Sequence, residues 1–438
     1  METNDILFSK YNCMFNSKKY GYFIYNSVTN SFFKINKDLF QIFHNLKDNP
    51  TKITELNQDV LNQLIKAKIL VSEYEDNSYI TKKQYIAYSD SFSSDVLGLV
   101  IVPTMDCNFA CPYCYEHNLP KDKMTTNVQD KIVEFINRFE KAKNNVAICW
   151  HGGEPLVAFD VMNSLLDKLY SSENITIIQH DLVTNGYLLD LKKINTLKKF
   201  NLDGIQITID GTEATHNLSR PLKSGKPTYN KIIDNVDLFV DEFPQCHVKI
   251  RINIHQYNMK DFSKLHEELS ARWKGKNLGL YMVYVSDNEH CKVKCIRLKE
   301  KVVFLRELYQ KEGISDIQFF PKVQDYGCAA TNQNTFIVGP AGELYKCWVD
   351  VGNKKRIIGN LDEGITDLTI VSEYMIGSSM FNDKKCENCI LLPICDGGCN
   401  LFRFENRMYG KDYDVCPIDL QDLSTLLELH YEKNLHTA

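Results

Sequence analysis

Hydrophobic and polar positions follow two rhythms along this chain, and the change from one to the other marks out its elements. Near the N-terminus, Tyr20-Gly-Tyr-Phe-Ile-Tyr25 and Ser31-Phe-Phe-Lys-Ile35 flank an Asn/Ser/Thr turn, which is a hairpin pattern. Leu39, Ile42, Phe43 and Leu46, then Leu56, Val60, Leu64 and Ile65, recur at helical spacing. Residues 76–95 are polar and rich in Ser and Asp, which predicts a linker. From residue 97 onward, apolar runs at 97–102, 146–150, 175–183, 205–209, 248–254 and 278–285 read as buried strands. Helical patterns separate them, for example Val128, Ile132, Phe135, Ile136 and Phe139 on one face. Six strand and helix pairs predict a parallel barrel or open parallel sheet with helices outside.

Two of the strands alternate cleanly. Gln206, Thr208 and Asp210 lie between isoleucines, and Lys249, Arg251, Asn253 and His255 lie between Val248, Ile250, Ile252 and Ile254. A closed, filled barrel would turn branched apolar side chains inward. A polar set on one strand face predicts a wet cavity for a polar ligand, which suits an incomplete six-stranded barrel. The N-terminal hairpin and helices make a small winged-helix-like unit. Residues 1–80 hold nine lysines, no arginine and nine acids, a balance that disfavours DNA.

Composition narrows the class further. A chain of 438 residues exceeds the usual single core, so two or three domains are expected. A net charge of −5 makes no case for nucleic acid or an anionic membrane. The N-terminus lacks a basic segment followed by an apolar one, and no apolar run is long enough to span a bilayer, so a cytoplasmic protein is expected. Fifteen cysteines without a secretion signal then argue for metal rather than disulfides. Three cluster near residue 110 and seven lie between 328 and 416.

The first cluster is Cys107-Asn-Phe-Ala-Cys111-Pro-Tyr-Cys114, directly after the strand at 97–102. Three thiolates at this spacing can hold three corners of a [4Fe-4S] cluster and leave the fourth iron open. Structural zinc wants four ligands, and only His117 lies close enough to be considered. The CxxxCxxC loop after the first barrel strand, with aromatic Tyr113 before its last cysteine, resembles the radical SAM enzymes. Trp150-His-Gly-Gly-Glu-Pro155 ends the next strand and matches the GGEP motif of that family. The resemblance implies that Gly152, Gly153 and Glu154 contact the methionine amino group of S-adenosylmethionine (SAM). Adjacent glycines also let backbone approach a ligand closely. By the same resemblance Thr184 and Asp210, at the next two strand ends, contribute to the ribose and methionine surface. Arg220 matches an arginine that meets the SAM carboxylate, a planar pairing that Lys would not reproduce.

The second cluster, Cys328, Cys347, Cys386, Cys389, Cys395, Cys399 and Cys416, resembles the SPASM domain of radical SAM enzymes. A zinc ribbon at Cys386, Cys389, Cys395 and Cys399 would leave the other three unexplained. The resemblance implies two auxiliary [4Fe-4S] clusters, three clusters in all. Cys386, Cys389, Cys395 and Cys416 would bind one completely. Cys399 would join Cys328 and Cys347 on the other, one protein ligand short. Sulfatase-maturing relatives carry a further cysteine where this chain has Lys322. Cys291 or Cys295, a substrate thiolate or water are the candidates for the missing ligand.

The expected fold is α/β. It consists of a winged-helix-like domain at 1–85, which resembles the peptide-recognition element of radical SAM peptide maturases, a partial (β/α)6 barrel at 96–312, and a SPASM domain at 313–438. The resemblance implies that SAM binds the open iron, that its cleavage yields a 5′-deoxyadenosyl radical, and that this radical takes hydrogen from a ribosomally synthesised precursor peptide. A thioether or carbon-carbon crosslink is the expected product, with flavodoxin or ferredoxin as electron donor. The alternative enzyme is a sulfatase-type maturase forming formylglycine. That group has a basic Asp directly after the cysteine corresponding to Cys347, where this chain has Trp348. A cluster-bearing electron-transfer protein without SAM chemistry is the reading from another class, and it should lack the strand-end ligand set.

Overall fold

The computed structural model describes residues 6–48, 56–93, 95–116, 119–285, 291, 293–314, 316–324 and 327–437. His117, considered above as a ligand, lies outside them. The N-terminal stretch runs β1 (Ile6–Phe8), β2 (Asn12–Ser17), β3 (Gly21–Asn26), β4 (Ser31–Ile35), α1 (Lys37–Asp48), α2 (Gln58–Lys66), β5 (Leu70–Ser72) and α3 (Glu73–Ser91). β2, β3 and β4 form an antiparallel meander, and β1 pairs with β5. Ile24 of the hairpin, Phe43 and Leu46 of α1, and Leu61 and Leu64 of α2 share one core, so the two periodicities meet on one buried face.

Helix α3 corrects the expected linker at 76–95. Ser72 caps it by accepting from Glu75 N at 3.2 Å, and Glu73, Glu75 and Asp76 sit in its first turn, where the helix dipole favours acids. Its sequence carries no apolar stripe because its attachment is partly polar. Lys83 Nζ donates to the carbonyl oxygens of Leu392, Pro393 and Cys395 at 2.5, 2.9 and 2.7 Å. Tyr79 and Ile80 pack beside Tyr11, Met380 and Leu392.

The middle of the chain alternates as expected: β6 (Leu97–Ile101), α4 (Thr126–Asn137), β7 (Val146–Trp150), α5 (Phe159–Tyr170), β8 (Ile177–Thr184), α6 (Leu191–Lys199), β9 (Gly204–Thr208), α7 (Glu213–Ser219), α8 (Tyr229–Glu242), β10 (His247–Ile254), α9 (Phe262–Arg272) and β11 (Leu278–Tyr284). After α10 (Leu298–Gln310) come β12 (Thr335–Val338), β13 (Glu343–Tyr345), β14 (Gly359–Asn360), β15 (Gly364–Ile365), α11 (Leu368–Ser372), α12 (Lys384–Glu387), α13 (Asn400–Tyr409) and α14 (Leu423–Thr437). One ten-stranded sheet has the order β11-β10-β9-β8-β7-β6-β12-β13-β14-β15. β6 to β11 are parallel and in sequence order, and β12 adds in parallel to the free edge of β6. The sheet is an α/β arrangement, mostly parallel, whose strand ends face one rim.

By internal contacts the chain divides into two units made of separated stretches. One comprises 1–92, 298–331 and 373–438; the other comprises 93–297 and 332–372. In the first unit Tyr25 shares a core with Leu391, Ile394, Leu423 and Leu427, so N-terminal hairpin and cysteine-rich C-terminal stretch fold together. In the second, the helices cover the sheet with Ile132, Leu165, Ile194, Val236 and Leu265, all fully buried. No helix among the described residues is long and apolar enough to cross a membrane.

Candidate functional site

In the parallel-sheet unit, the loop after β6 carries Cys107, Cys111 and Cys114. Its shape is fixed from three sides. Ala110 N donates to Pro221 O at 2.9 Å, Lys223 N to Asn108 O at 2.9 Å, and Cys114 N to Cys111 O at 3.2 Å. Phe109 N points at Cys107 Sγ, 3.4 Å away. Burial pushes the Cys107 and Cys114 thiols up to about 12, and burial also raises Cys111. Cys107 interacts electrostatically with both other thiols.

The glycines after β7 approach this loop from below. Gly153 N donates to Thr104 O at 3.2 Å and Glu154 N to Asp106 O at 2.9 Å. A Cβ on Gly153 would stand 2.4 Å from Met105 O, and one on Gly152 2.6 Å from Thr104 O, with Gly152 at φ +121°. The close approach that demands glycine here is therefore to the cysteine loop itself. Glu154 is 1% exposed and fully engaged: Oε1 accepts from Leu156 N at 3.0 Å and Thr184 Oγ1 at 2.7 Å, and Oε2 from Asn185 N at 2.7 Å. Asn185 in turn donates to Asn108 Oδ1 at 2.8 Å, tying the third strand end to the loop.

Tyr113, Asp210 and Arg220, distant in sequence, come together. Arg220 Nη1 donates to Tyr113 Oη at 2.5 Å and lies 3.5 Å from Asp210 Oδ2; the Tyr113 hydroxyl donates to the same carboxylate. Asp210 Oδ1 accepts from Asn253 N at 2.8 Å, and Asn258 Nδ2 donates to Asp210 O at 2.8 Å. The Arg220 guanidinium also lies over the Phe109 ring, 5.6 Å from its centre. Among the described residues, buried Arg220 Nε, Asn108 Nδ2 and Glu116 Oε1 have no hydrogen-bond partner, and burial raises the Glu116 carboxyl to about 7. Sequence reasoning placed Asn185 at the third strand end but missed Asn258 as a member of this network and Glu116 beside it. For Glu116 the signal was adjacency, since it lies two residues after Cys114.

On the same unit, Cys347 interacts electrostatically with Tyr115, and Trp348 stacks on His151 with ring centres 5.5 Å apart and planes at 13°. Asp350 is buried beside Arg356, whose Nε lies 3.9 Å from its Oδ1.

The other unit holds the remaining cysteines of the second cluster. Cys416 interacts with Cys386 and Cys389, and Cys386 with Cys395. Gly397 N donates to Cys395 Sγ at 3.2 Å, and the buried Arg403 donates to Cys386 Sγ at 3.2 Å and Asp383 Oδ2 at 2.8 Å. Cys399 interacts with Cys328. None of the fifteen cysteines is in a disulfide, and the sulfurs of Cys291 and Cys295 are 3.6 Å apart. Among the described residues no three His, Cys, Asp or Glu side chains converge as they would on a single metal ion. The donor chemistry fits a larger sulfur-ligated group. Buried thiols whose charge is penalised are deprotonated by a metal, whose own charge removes the penalty. Orphaned donors beside them suit a polar ligand.

Residues 101–269 match the sequence family described as the Radical SAM superfamily. The chain is 24% identical over 468 aligned positions to the radical SAM cyclopropyl synthase TigE of Paramaledivibacter caminithermalis, covering 90% of this chain and 93% of that one. It is 23% identical to a cysteine-type anaerobic sulfatase-maturating enzyme of Clostridium novyi, over 73% of this chain and 92% of that one. Streptococcus suis SuiB bound to S-adenosylmethionine superposes with a TM-score of 0.55 at 16% identity, covering 94% of this chain and 100% of SuiB. Its complex with precursor peptide SuiA superposes at 0.50 and 16% identity, over 90% and 95%. Residues 101–269 form a radical SAM domain, and the chain is an enzyme related both to a radical SAM cyclopropyl synthase and to anaerobic sulfatase-maturating enzymes.

Proposed function

We propose that this enzyme modifies a ribosomally made precursor peptide, forming a thioether or carbon-carbon crosslink. The observation that carries the choice over formylglycine formation is the environment of Cys347. Its following residue, Trp348, is stacked on His151, and the nearby acid, Asp350, is buried in an ion pair with Arg356. Neither side chain is disposed to act as the base that follows this cysteine in the sulfatase-maturing group. The alignment with TigE and SuiB over at least 90% of the chain supports the same reading.

Cys107, Cys111 and Cys114 would hold one [4Fe-4S] cluster; Cys386, Cys389, Cys395 and Cys416 a second; Cys328, Cys347 and Cys399 part of a third. Bound together, the first cluster and SAM supply reductive cleavage and hydrogen abstraction. The chain's own part is positioning. Asp210 accepts from the Tyr113 hydroxyl and pairs with the Arg220 guanidinium, which would meet the SAM carboxylate. Glu154 clamps Thr184 and Asn185, which fixes the third strand end against the cysteine loop. A small iron-sulfur or flavin protein of the ferredoxin or flavodoxin kind would donate the electron. The test is incubation of the anaerobically reconstituted enzyme, SAM and reductant with short peptides encoded beside its gene. A product that has lost hydrogen and does not react with a hydrazide supports the crosslink. A hydrazide-reactive aldehyde would replace it with the formylglycine reading.

A further inference from the structure

One face of β10 carries two cations in succession, Lys249 and Arg251, and their surroundings differ. Lys249 is close enough to Asp181 to interact with its carboxylate. Arg251 sits among polar side chains. Its register partners on the flanking strands are Thr208 and Tyr281, and its Nε donates to Asn253 Oδ1 at 2.8 Å. Its charge also reaches His151 and Tyr115. Burial, aided by Arg251, holds His151 down to about 4, so that ring is neutral at physiological pH. Among the described residues Arg251 forms no ion pair, whereas Arg220, the other arginine of the site, is compensated by Asp210.

A guanidinium half-withdrawn from water without an anion is unfavourable, and its fork of donors matches a carboxylate. Asn253 connects Arg251 to the reaction site: its amide lies 3.5 Å from Tyr113 Oη and its backbone N–H is held by Asp210. We propose that Arg251 receives a carboxylate of the substrate peptide, from an Asp or Glu side chain or from the peptide's C-terminus. The proposal rests on the peptide-modifying reading and names the class of residue that lies against β10. Bound this way, the carboxylate anchors the peptide beside the Tyr113, Asp210 and Arg220 group, and Arg251 acts as a specificity-determining residue.

The test uses reconstituted holoenzyme with saturating SAM, treated with phenylglyoxal, and measures modification of Arg251 by peptide mapping. Three probes are added separately: N-acetylaspartate N-methylamide, N-acetylalanine, and N-acetylasparagine N-methylamide. A severalfold slower modification with one of the acids and no change with the neutral amide is expected; which acid protects tells a side-chain carboxylate from a terminal one. Equal protection by the neutral probe, protection by neither acid, or an Arg251 unreactive before any probe would overturn the proposal. Complete protection by SAM alone would also overturn it by giving the guanidinium to the cofactor. The outcome is independent of which product forms on the peptide, so failure here is distinguishable from failure of the crosslink reading. With a turned-over peptide in hand, R251Q should raise KM, and replacing the peptide carboxylate by its amide should have no further effect in that variant.

Discussion

Gly153→Ala probes how tightly the cysteine loop depends on the strand end beside it. The new Cβ would stand 2.4 Å from Met105 O and 2.5 Å from Asp106 O, where ordinary contact begins at 3.4 Å. Both obstacles are backbone, so no side-chain rotation relieves them, and the loop must retreat by roughly 1 Å. That retreat stretches the bonds from Gly153 N to Thr104 O and from Glu154 N to Asp106 O, the two links holding the loop to β7. A misplacement of about 1 Å at a reacting group can cost on the order of a hundredfold in rate. The expected outcome is a fall of about that size in reductive SAM cleavage, read as 5′-deoxyadenosine formed per unit time by anaerobically reconstituted enzyme. Gly275→Ala is the control: Gly275 has φ +79° with nothing within 4 Å of a Cβ, so it costs about 1–2 kcal/mol of backbone strain and leaves the loop alone. If Gly153→Ala cleaves SAM at the wild-type rate, the loop is not anchored as described.

Other consequences follow from single contacts. His180 is fully buried, accepts from Trp150 Nε1 at 2.9 Å, and is held by burial at about 4 against 6.5 for a free ring. A depressed pKa means the unfolded state binds the proton more readily, so stability is complete above pH 6.5 and about 3 kcal/mol is lost as pH falls to 4; H180N should flatten that part of the unfolding profile, and an unaltered slope would contradict it. Asp210→Asn leaves the buried Arg220 charge without its carboxylate and should cost about 3–5 kcal/mol of stability, together with weaker SAM binding in titration; an unchanged melting temperature would contradict the pairing. Cys291 and Cys295, 3.6 Å apart, should be captured together by one trivalent arsenical in the apoprotein, adding a single arsenic by mass, and cluster reconstitution should block capture only if one of them becomes a ligand. Removal of residues 1–85 should lower iron at the four-cysteine site as well as any peptide affinity, because Tyr25 packs on Leu391 and Ile394 and Lys83 holds the carbonyls of 392–395; full iron retention would separate the two stretches.

The parallel-sheet part of the fold was legible because β6 to β9 each end in a short polar signature, and order along the chain equals order in the sheet from β6 to β11. Tyr113, Asp210 and Arg220 could be named individually, yet their mutual bonding could not, because it depends on loop geometry after three different strands. The two glycines were read as admitting a ligand, whereas the neighbour they admit in the structure is the Thr104–Asp106 backbone. Helix α3 was missed because its anchor is a lysine reaching backbone carbonyls more than 300 residues away, which leaves no periodic trace. The joining of N-terminal and C-terminal stretches in one unit was hidden for the same reason: Tyr25 and Leu427 share a core but no local pattern.

The most direct measurement is 5′-deoxyadenosine production from SAM and dithionite by the anaerobically reconstituted protein, compared with a variant in which Cys107, Cys111 and Cys114 are all Ala. The wild type should carry about twelve irons and cleave SAM; the variant should keep about eight and cleave none. Cleavage that persists without the three cysteines, or a wild type that binds zinc in place of iron and leaves SAM intact, would contradict the account.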